Sequence, residues 1–335
     1  MDRPQPDDLP PNAYENRAGM TVAIISACLF VSTVVVSLRF YVRLVIIRKF
    51  GVDDWALAVV LVTTMGAAIL MAVTTKFGLG GHFYLLSIPE KSKFLKLVWF
   101  ASMGYGFAVM LMKATVLLQY RRLFPLPKFQ RLCNIFLAGV GTWAVAGALG
   151  TILICLPIER NWDALAPTGC SERIYFWEAY AILHIITDVL ILVMPLPLLK
   201  TLPLTTVQKG VLMVVFSLGA FTTTISVIRI TTLRASLIGT DTTWTMSTTA
   251  LWSTAEVSCA IVCVCIPTLR PLVAQRTRSS EVNKLKESKK SRGGLRRPQL
   301  YDTDNLETQV VTHSLASEDI ESQSNGIKVL LSTKL

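Results

Sequence analysis

The chain has 335 residues and a net charge of +11; hydrophobic residues make up 52% of it and charged residues only 16%. Soluble domains carry about 25% charged residues, so this composition excludes an ordinary soluble domain. It does not indicate nucleic acid as a partner either. Ten of the 33 Lys and Arg lie between Arg270 and Arg297, directly after the last apolar stretch, where basic residues fix orientation or meet anionic lipid.

Seven apolar stretches predict an all-α polytopic membrane protein. The predicted helices are Met20–Tyr41, Asp54–Thr75, Phe94–Tyr120, Leu132–Pro157, Tyr175–Leu199, Val207–Thr231 and Met246–Leu269. Each is long enough to cross the hydrocarbon core. Lipid offers the backbone no hydrogen-bond partner, so a crossing is a helix or a strand of a closed barrel. Barrel strands alternate over about ten residues, and these stretches are longer and continuously apolar.

Residues 1–19 are polar, proline-rich and acidic, without a signal-peptide pattern. They are expected to form a short extracellular segment translocated by the first helix. The next connector holds Arg39, Arg43, Arg48 and Lys49; the one after helix three holds Arg121, Arg122, Lys128 and Arg131. With Lys200, Lys209 and the tail they place the N-terminus outside and the C-terminus in the cytoplasm. Lys76, Lys91, Lys93 and Lys96 run against this bias, because they sit in or near an outer loop. Residues 20–272 form the transmembrane domain of a multi-pass protein expected in the plasma membrane, and 273–335 a disordered basic cytoplasmic tail.

Helix two opens on Gly51-Val52-Asp53-Asp54-Trp55. Asp at a helix start accepts free backbone N–H groups and complements the dipole, and Trp55 suits the interfacial aromatic belt. Arg39 and Arg43 are within reach of Asp53 or Asp54, which would add a cytoplasmic lock to the cap. Gly78, Gly80 and Gly81 before His82 imply a tight outer turn; His82 there either touches a ligand or, the more common case, is a solvated loop residue.

Ionisable residues inside a crossing are costly, so each is a ligand or switch candidate. Helix three holds Lys113, helix five Glu178, His184 and Asp188, helix six Arg229 and helix seven Glu256. His184 and Asp188 share one helix face. By depth, Glu178 is paired with Arg229 and Lys113 with an acceptor on the cytoplasmic side, while Asp188 and Glu256 have no obvious partner. Pro195 and Pro197 either form a hinge or end helix five.

Cys155 and Cys170 flank the outer loop between helices four and five, where an oxidising exterior permits a disulfide. Cys28, Cys133, Cys259, Cys263 and Cys265 are read as small apolar residues. No metal site is expected, and no Asn-x-Ser/Thr acceptor occurs.

An ordered set of motifs resembles the fungal rhodopsin-domain integral membrane proteins. It runs through Gly51–Trp55, Gly78–His82, Lys113 with Tyr120-Arg121-Arg122-Leu123-Phe124, and Cys155-Leu156-Pro157 with Trp162 and Cys170. It continues through Asp188 with Pro195-Leu196-Pro197, Lys209, Gly219, Ser226-Val227-Ile228-Arg229, Asp241, Trp252 with Glu256, and Cys263-Val264-Cys265-Ile266-Pro267. The resemblance covers about Met20 to Leu272. His184 stands where the family usually has Asn, and Thr115 where it has Ser. It implies a receptor-like role or one linked to fungal secondary metabolism. It does not imply photochemistry: Met246–Leu269 contains no lysine for a Schiff base, so no retinal or other cofactor is expected.

Three functions remain open at this level. The first is a sensor of a small apolar ligand held among helices three, five, six and seven, signalling to a cytosolic partner; it lacks Asp-Arg-Tyr in helix three and Asn-Pro-x-x-Tyr in helix seven. The second is a proton-coupled transporter using His184, Asp188 and Glu256. The third is a membrane enzyme with Asp188 and Glu256 as an acid pair. The sequence has no nucleophile triad, metal set or phosphate loop, so no catalytic residue is assigned.

Overall fold

The computed structural model describes residues 14–163, 172–197, 206–238 and 241–292. Seven long helices run in chain order: α1 Ala18–Tyr41, α2 Val52–Thr74, α3 Ile88–Leu123, α4 Pro127–Leu153, α5 Glu172–Val193, α6 Thr206–Ile238 and α7 Thr242–Arg292. The described residues contain no strand. All seven helices are long and apolar enough to cross a membrane. Large apolar side chains such as Phe30, Val62, Phe107, Ile135 and Val145 lie exposed around the bundle. In water such a surface is an interaction site; here it faces the hydrocarbon. The chain is a multi-pass membrane protein.

Short connections make neighbouring helices antiparallel. We call the end bearing Tyr14, His82, Asn161 and Asp241 the upper end, and the end bearing Arg39, Asp53 and Arg122 the lower end. Helix α3 is the central post. Val109 and Met112 join Val36, Leu57, Val60, Val257, Ile261 and Val264 in one core cluster. Met110 and Leu117 join Phe129, Val140 and Ile191 in a second, and Phe94 and Val98 pack on Leu79 in a third.

Polar ends carry the helices beyond their apolar stretches. The Glu90 carboxylate accepts from the N–H (2.8 Å) and hydroxyl (2.6 Å) of Ser87, which starts α3 six residues before Phe94. Its 36 residues span about 54 Å, longer than the hydrocarbon core. The lysines at its upper end lie over aromatic faces: Lys91 over Phe83 and Lys96 over Trp162, at 4.8 and 5.2 Å from the ring centroids. Pro127 starts α4, where a missing N–H costs nothing.

Of the expected tail, 273–292 are described and are helical, and 293–335 lie outside the described residues. Helix α7 continues to Arg292, through residues read as disordered. The segment from Arg276 onward is a unit of its own. Between Pro271 and Gly293 it has no helix breaker and many Lys, Glu, Arg and Leu, which favour helix. Helix α5 ends at Val193, earlier than expected; a turn at Met194 and Pro195 follows because proline removes a donor and restricts its predecessor. Cys155 is buried and is not one of the free cysteines; its expected partner Cys170 lies outside the described residues. Lys200, also counted for orientation, lies outside them too.

Candidate functional site

Five ionisable side chains from four helices meet in the middle of the bundle. Arg229 on α6 pairs through Nε with Glu256 Oε2 on α7 at 2.9 Å. Glu256 Oε2 also accepts from the Tyr105 hydroxyl at 2.9 Å. Glu256 Oε1 accepts from Ser226 at 2.8 Å and lies 2.6 Å from His184 Nε2. The same Nε2 lies 3.3 Å from Asp188 Oδ2, one helical turn along α5. Asp188 Oδ1 pairs with Lys113 Nζ of α3 at 2.7 Å. Lys113 Nζ also donates to the Thr187 hydroxyl (2.6 Å) and the His184 carbonyl (2.8 Å).

Two cations and two carboxylates balance in this layer when the imidazole is neutral. That balance is what lets charges sit so deep: an unpaired one would cost several kcal/mol. Lys113, His184, Arg229 and Glu256 are all at least nine-tenths buried, and only the Asp188 side chain keeps 24% exposure. His184 Nε2 faces two carboxylates, and the buried Nδ1 has no hydrogen-bond partner among the described residues.

The layer separates two cavities. The upper one, of about 210 Å³, is bordered by Trp99, Tyr105, Asn161, Trp177, Tyr180 and Arg229 among others. The lower one, of about 110 Å³, is bordered by Lys113, Tyr120, His184, Asp188, Glu256 and Cys263. Arg229 thus looks up and its partner Glu256 down. His184, Asp188 and Glu256 also present ligand atoms within 4.8 Å of one another, a spacing that fits a metal ion. Lys113 and Arg229 already neutralise the two carboxylates there, so a cation would have to displace them.

The lower end is closed by a second cluster. Arg39, fully buried, reaches Asp54 Oδ1 through Nε (2.9 Å) and Asp53 Oδ2 through Nη2 (2.8 Å). Its Nη1 donates to the Val264 carbonyl (2.7 Å) and to Gln119 (2.9 Å), so one guanidinium joins four helices. Arg43, in a wider π-type turn that follows α1, approaches Asp53 and Asp54 at 3.4 and 3.5 Å. Arg122 pairs with Asp53 Oδ1 at 2.9 Å and donates to the Lys49 carbonyl. Asp54 also caps, accepting from the Gly51 N–H at 3.0 Å, so cap and ion cluster coexist. Trp55 is exposed at this end, with its ring edge on Phe50.

A third cluster covers the upper end. The Asp241 carboxylate meets His82 Nδ1 and accepts from the Phe83 N–H at 2.9 Å. The His82 ring stacks between Tyr84 and Trp244, and Arg17 lies 4.0 Å above the Trp244 ring. His82 is therefore built into a cap and is not a solvated loop residue. Burial, followed by the Asp241 charge, raises the Tyr84 phenol above its usual range.

Three pairing expectations are corrected. Glu178 meets Arg234 at 3.1 Å, one and a half turns nearer the upper end than Arg229. Asp188 and Glu256 both have partners, Lys113 and Arg229. Lys113 finds its acceptor on the neighbouring α5 inside the bundle. Tyr105 and Gln119 enter these clusters without having been singled out, and Ser226 had been noted only as part of a motif; a hydroxyl or amide in an otherwise apolar run was their signal.

The fungal rhodopsin domain model matches residues 38–275, which contain both ion clusters, both cavities and Asp241. The chain belongs to the fungal rhodopsin domain family. This is a receptor-like membrane family and not a known enzyme family. Similar proteins come from fungal biosynthetic gene clusters. A polyenoic acids biosynthesis gene cluster protein of Metarhizium anisopliae is 24% identical over 280 residues, covering 78% of this chain and 76% of the relative. Fugralins biosynthesis cluster protein 2 of Gibberella zeae is 24% identical, over 80% of this chain and 68% of the relative. Wortmanamides biosynthesis cluster protein C of Talaromyces wortmannii is 25% identical, over 72% and 68%. No solved structure is significantly similar to this fungal rhodopsin domain chain.

Proposed function

We propose that this protein is a receptor-like sensor. A small, largely apolar molecule enters the upper cavity, and the charged layer passes its presence to the lower end. The observation that carries this reading is the position of Arg229. It borders the upper cavity and pairs with Glu256, from which contacts run through His184 and Asp188 to Lys113 beside the lower cavity. A guest touching Arg229 perturbs four helices at once. The Arg39 cluster below is the lock that such a perturbation releases, with Pro195 and Pro197 as the hinge, toward a cytosolic partner.

Relatives named for biosynthesis clusters support a ligand from secondary metabolism, and the name of one refers to polyenoic acids. We place the protein in the plasma membrane with the N-terminus outside, without retinal or another cofactor, and with a Cys155–Cys170 bridge closing the upper loop. The two stacked cavities also favour a second reading, proton-coupled transport with His184, Asp188 and Glu256 as the relay. Deleting the gene and measuring metabolites on both sides of the membrane separates the two. An altered response to an added metabolite, with unchanged partition, supports the sensor. A changed inside-to-outside ratio with a conserved total overturns it in favour of transport.

A further inference from the structure

Arg229 has five N–H donors in a rigid fork. The pair with Glu256 engages only Nε. The Tyr105 ring covers the guanidinium at 5.0 Å but accepts no conventional hydrogen bond. Among the described residues none accepts a hydrogen bond from the guanidinium: Nε lies close to Glu256 as an ion pair without hydrogen-bond geometry, and the side chain is only 7% exposed. Buried donors are almost always satisfied, and the cavity that Arg229 borders is the upper one.

Asn161 is a second unsatisfied group on the same cavity. It is 4% exposed and donates to the Ile158 carbonyl, but its Oδ1 has no partner among the described residues. It sits toward the upper rim, Arg229 at the floor. Between them Trp99, Trp177 and Tyr180 face small residues such as Ala101 and Ala250. The cavity therefore offers a double donor at one end, an acceptor at the other, and flat apolar walls.

We propose that the upper cavity binds a flat, mostly apolar monocarboxylic acid through the two terminal nitrogens of Arg229, with a hydroxyl or N–H on its far end donating to Asn161. A carboxylate matches the guanidinium fork with two parallel hydrogen bonds. Because Glu256 already balances Arg229, a monoanion adds one charge to the layer and a dianion two, so the monoanion suits the site better. The volume of about 210 Å³ lies below the roughly 300–1,000 Å³ of drug-sized sites, which favours a bicyclic acid over a long chain. The acid rests on the sensor reading only for its consequence, not for its binding.

The test uses the full chain in lipid nanodiscs. The probe is a hydroxynaphthoic acid with its acid and hydroxyl on opposite rings, compared with its primary amide of the same shape. Quenching of Trp99 and Trp177 emission reads binding, with empty nanodiscs subtracted. The acid is expected to bind at least tenfold tighter than the amide, and Arg229→Lys to narrow that ratio. Arg229→Gln should abolish it; the double variant Arg229→Gln/Glu256→Gln, which leaves no unpaired charge, serves if the single one does not fold. Equal affinities in the unaltered chain, no saturable binding of either probe, or a preference that survives loss of Arg229 overturns the proposal. If the acid is preferred but spin labels at the lower end do not move, the carboxylate site stands and the sensor reading falls.

Discussion

Lys113 and Asp188 pair at 2.7 Å across α3 and α5, at the edge of the lower cavity. The pair is asymmetric. Lys113 keeps two further acceptors, the Thr187 hydroxyl and the His184 carbonyl, whereas among the described residues Asp188 keeps only His184. Asp188→Asn therefore leaves a cation with hydrogen bonds but no counter-charge. We expect a loss of about 1–3 kcal/mol with the fold retained, measured by thermal unfolding of the purified protein. The ligand response of cells should fall in the same variant; a full response would remove Asp188 from the relay.

Glu256 is the opposite case. It answers Arg229, His184, Ser226 and Tyr105 together. Glu256→Gln leaves Arg229 buried without a counter-charge, and we expect about 3–5 kcal/mol of destabilisation. Removing Arg229 as well should restore part of it. The comparison is a double-mutant cycle on unfolding, and additive losses would refute direct coupling.

Gly51 is required by its neighbours and not by its backbone angles. A Cβ there would lie 2.4 Å from Asp53 Oδ1 and 2.6 Å from Arg122 Nη1. Gly51→Ala should cost about 1–3 kcal/mol through overpacking and loosen α2 from the end of α3. In an Arg122→Ala background the same substitution should cost clearly less, because half of the collision is gone. Equal costs in both backgrounds would count against the close approach.

Asp241 fastens the upper cap. Asp241→Ala removes the acceptor for the Phe83 N–H and the partner of His82. We expect amide exchange around residues 78–85 to quicken about tenfold, as for the loss of about one hydrogen bond, while exchange in the middle of α3 stays unchanged. Uniform acceleration would mean that Asp241 stabilises the whole bundle instead.

The purified protein should show no visible absorption band. The Schiff base of a bound retinal is cleaved by hydroxylamine, so a band that hydroxylamine bleaches would refute the absence of chromophore.

Hydropathy made the membrane domain legible, because lipid leaves the backbone no alternative to the helix. Helix ends were less so. The start of α3 depends on Glu90 reaching back to Ser87, a polar device that an apolar window does not see, and α7 continues past Pro271 on propensity alone. The charged residues of the site were legible one by one, since each is costly in lipid. Their pairing was not, because it depends on how each helix is rotated about its axis. Arg229 and Arg234 lie on the same helix, yet one faces Glu256 inside and the other meets Glu178 near the surface. Lys113 shows the same limit, since its acceptor, the His184 carbonyl, sits 71 residues away on another helix. Two pairings were foreseeable: Arg39 with Asp53, because a short connector holds those helix ends together, and His184 with Asp188, one turn apart on one helix.

Tyr180 presents one side to the upper cavity, while its other side rests on α4. Trp143 stacks on its ring at 5.3 Å, and Gly147 leaves so little room that a Cβ would come within 2.5 Å of it. On this side the wall of the chamber is an aromatic stack seated on α4. The opposite side is made of Ser236, Thr249 and Ser253 on α6 and α7, the helices that carry Arg229 and Glu256. If the proposed guest binds here, one slightly too thick for the gap would press toward the two helices whose separation sets the central ion pair. The width of such a molecule, and not only its charge, would then be converted into strain on that pair.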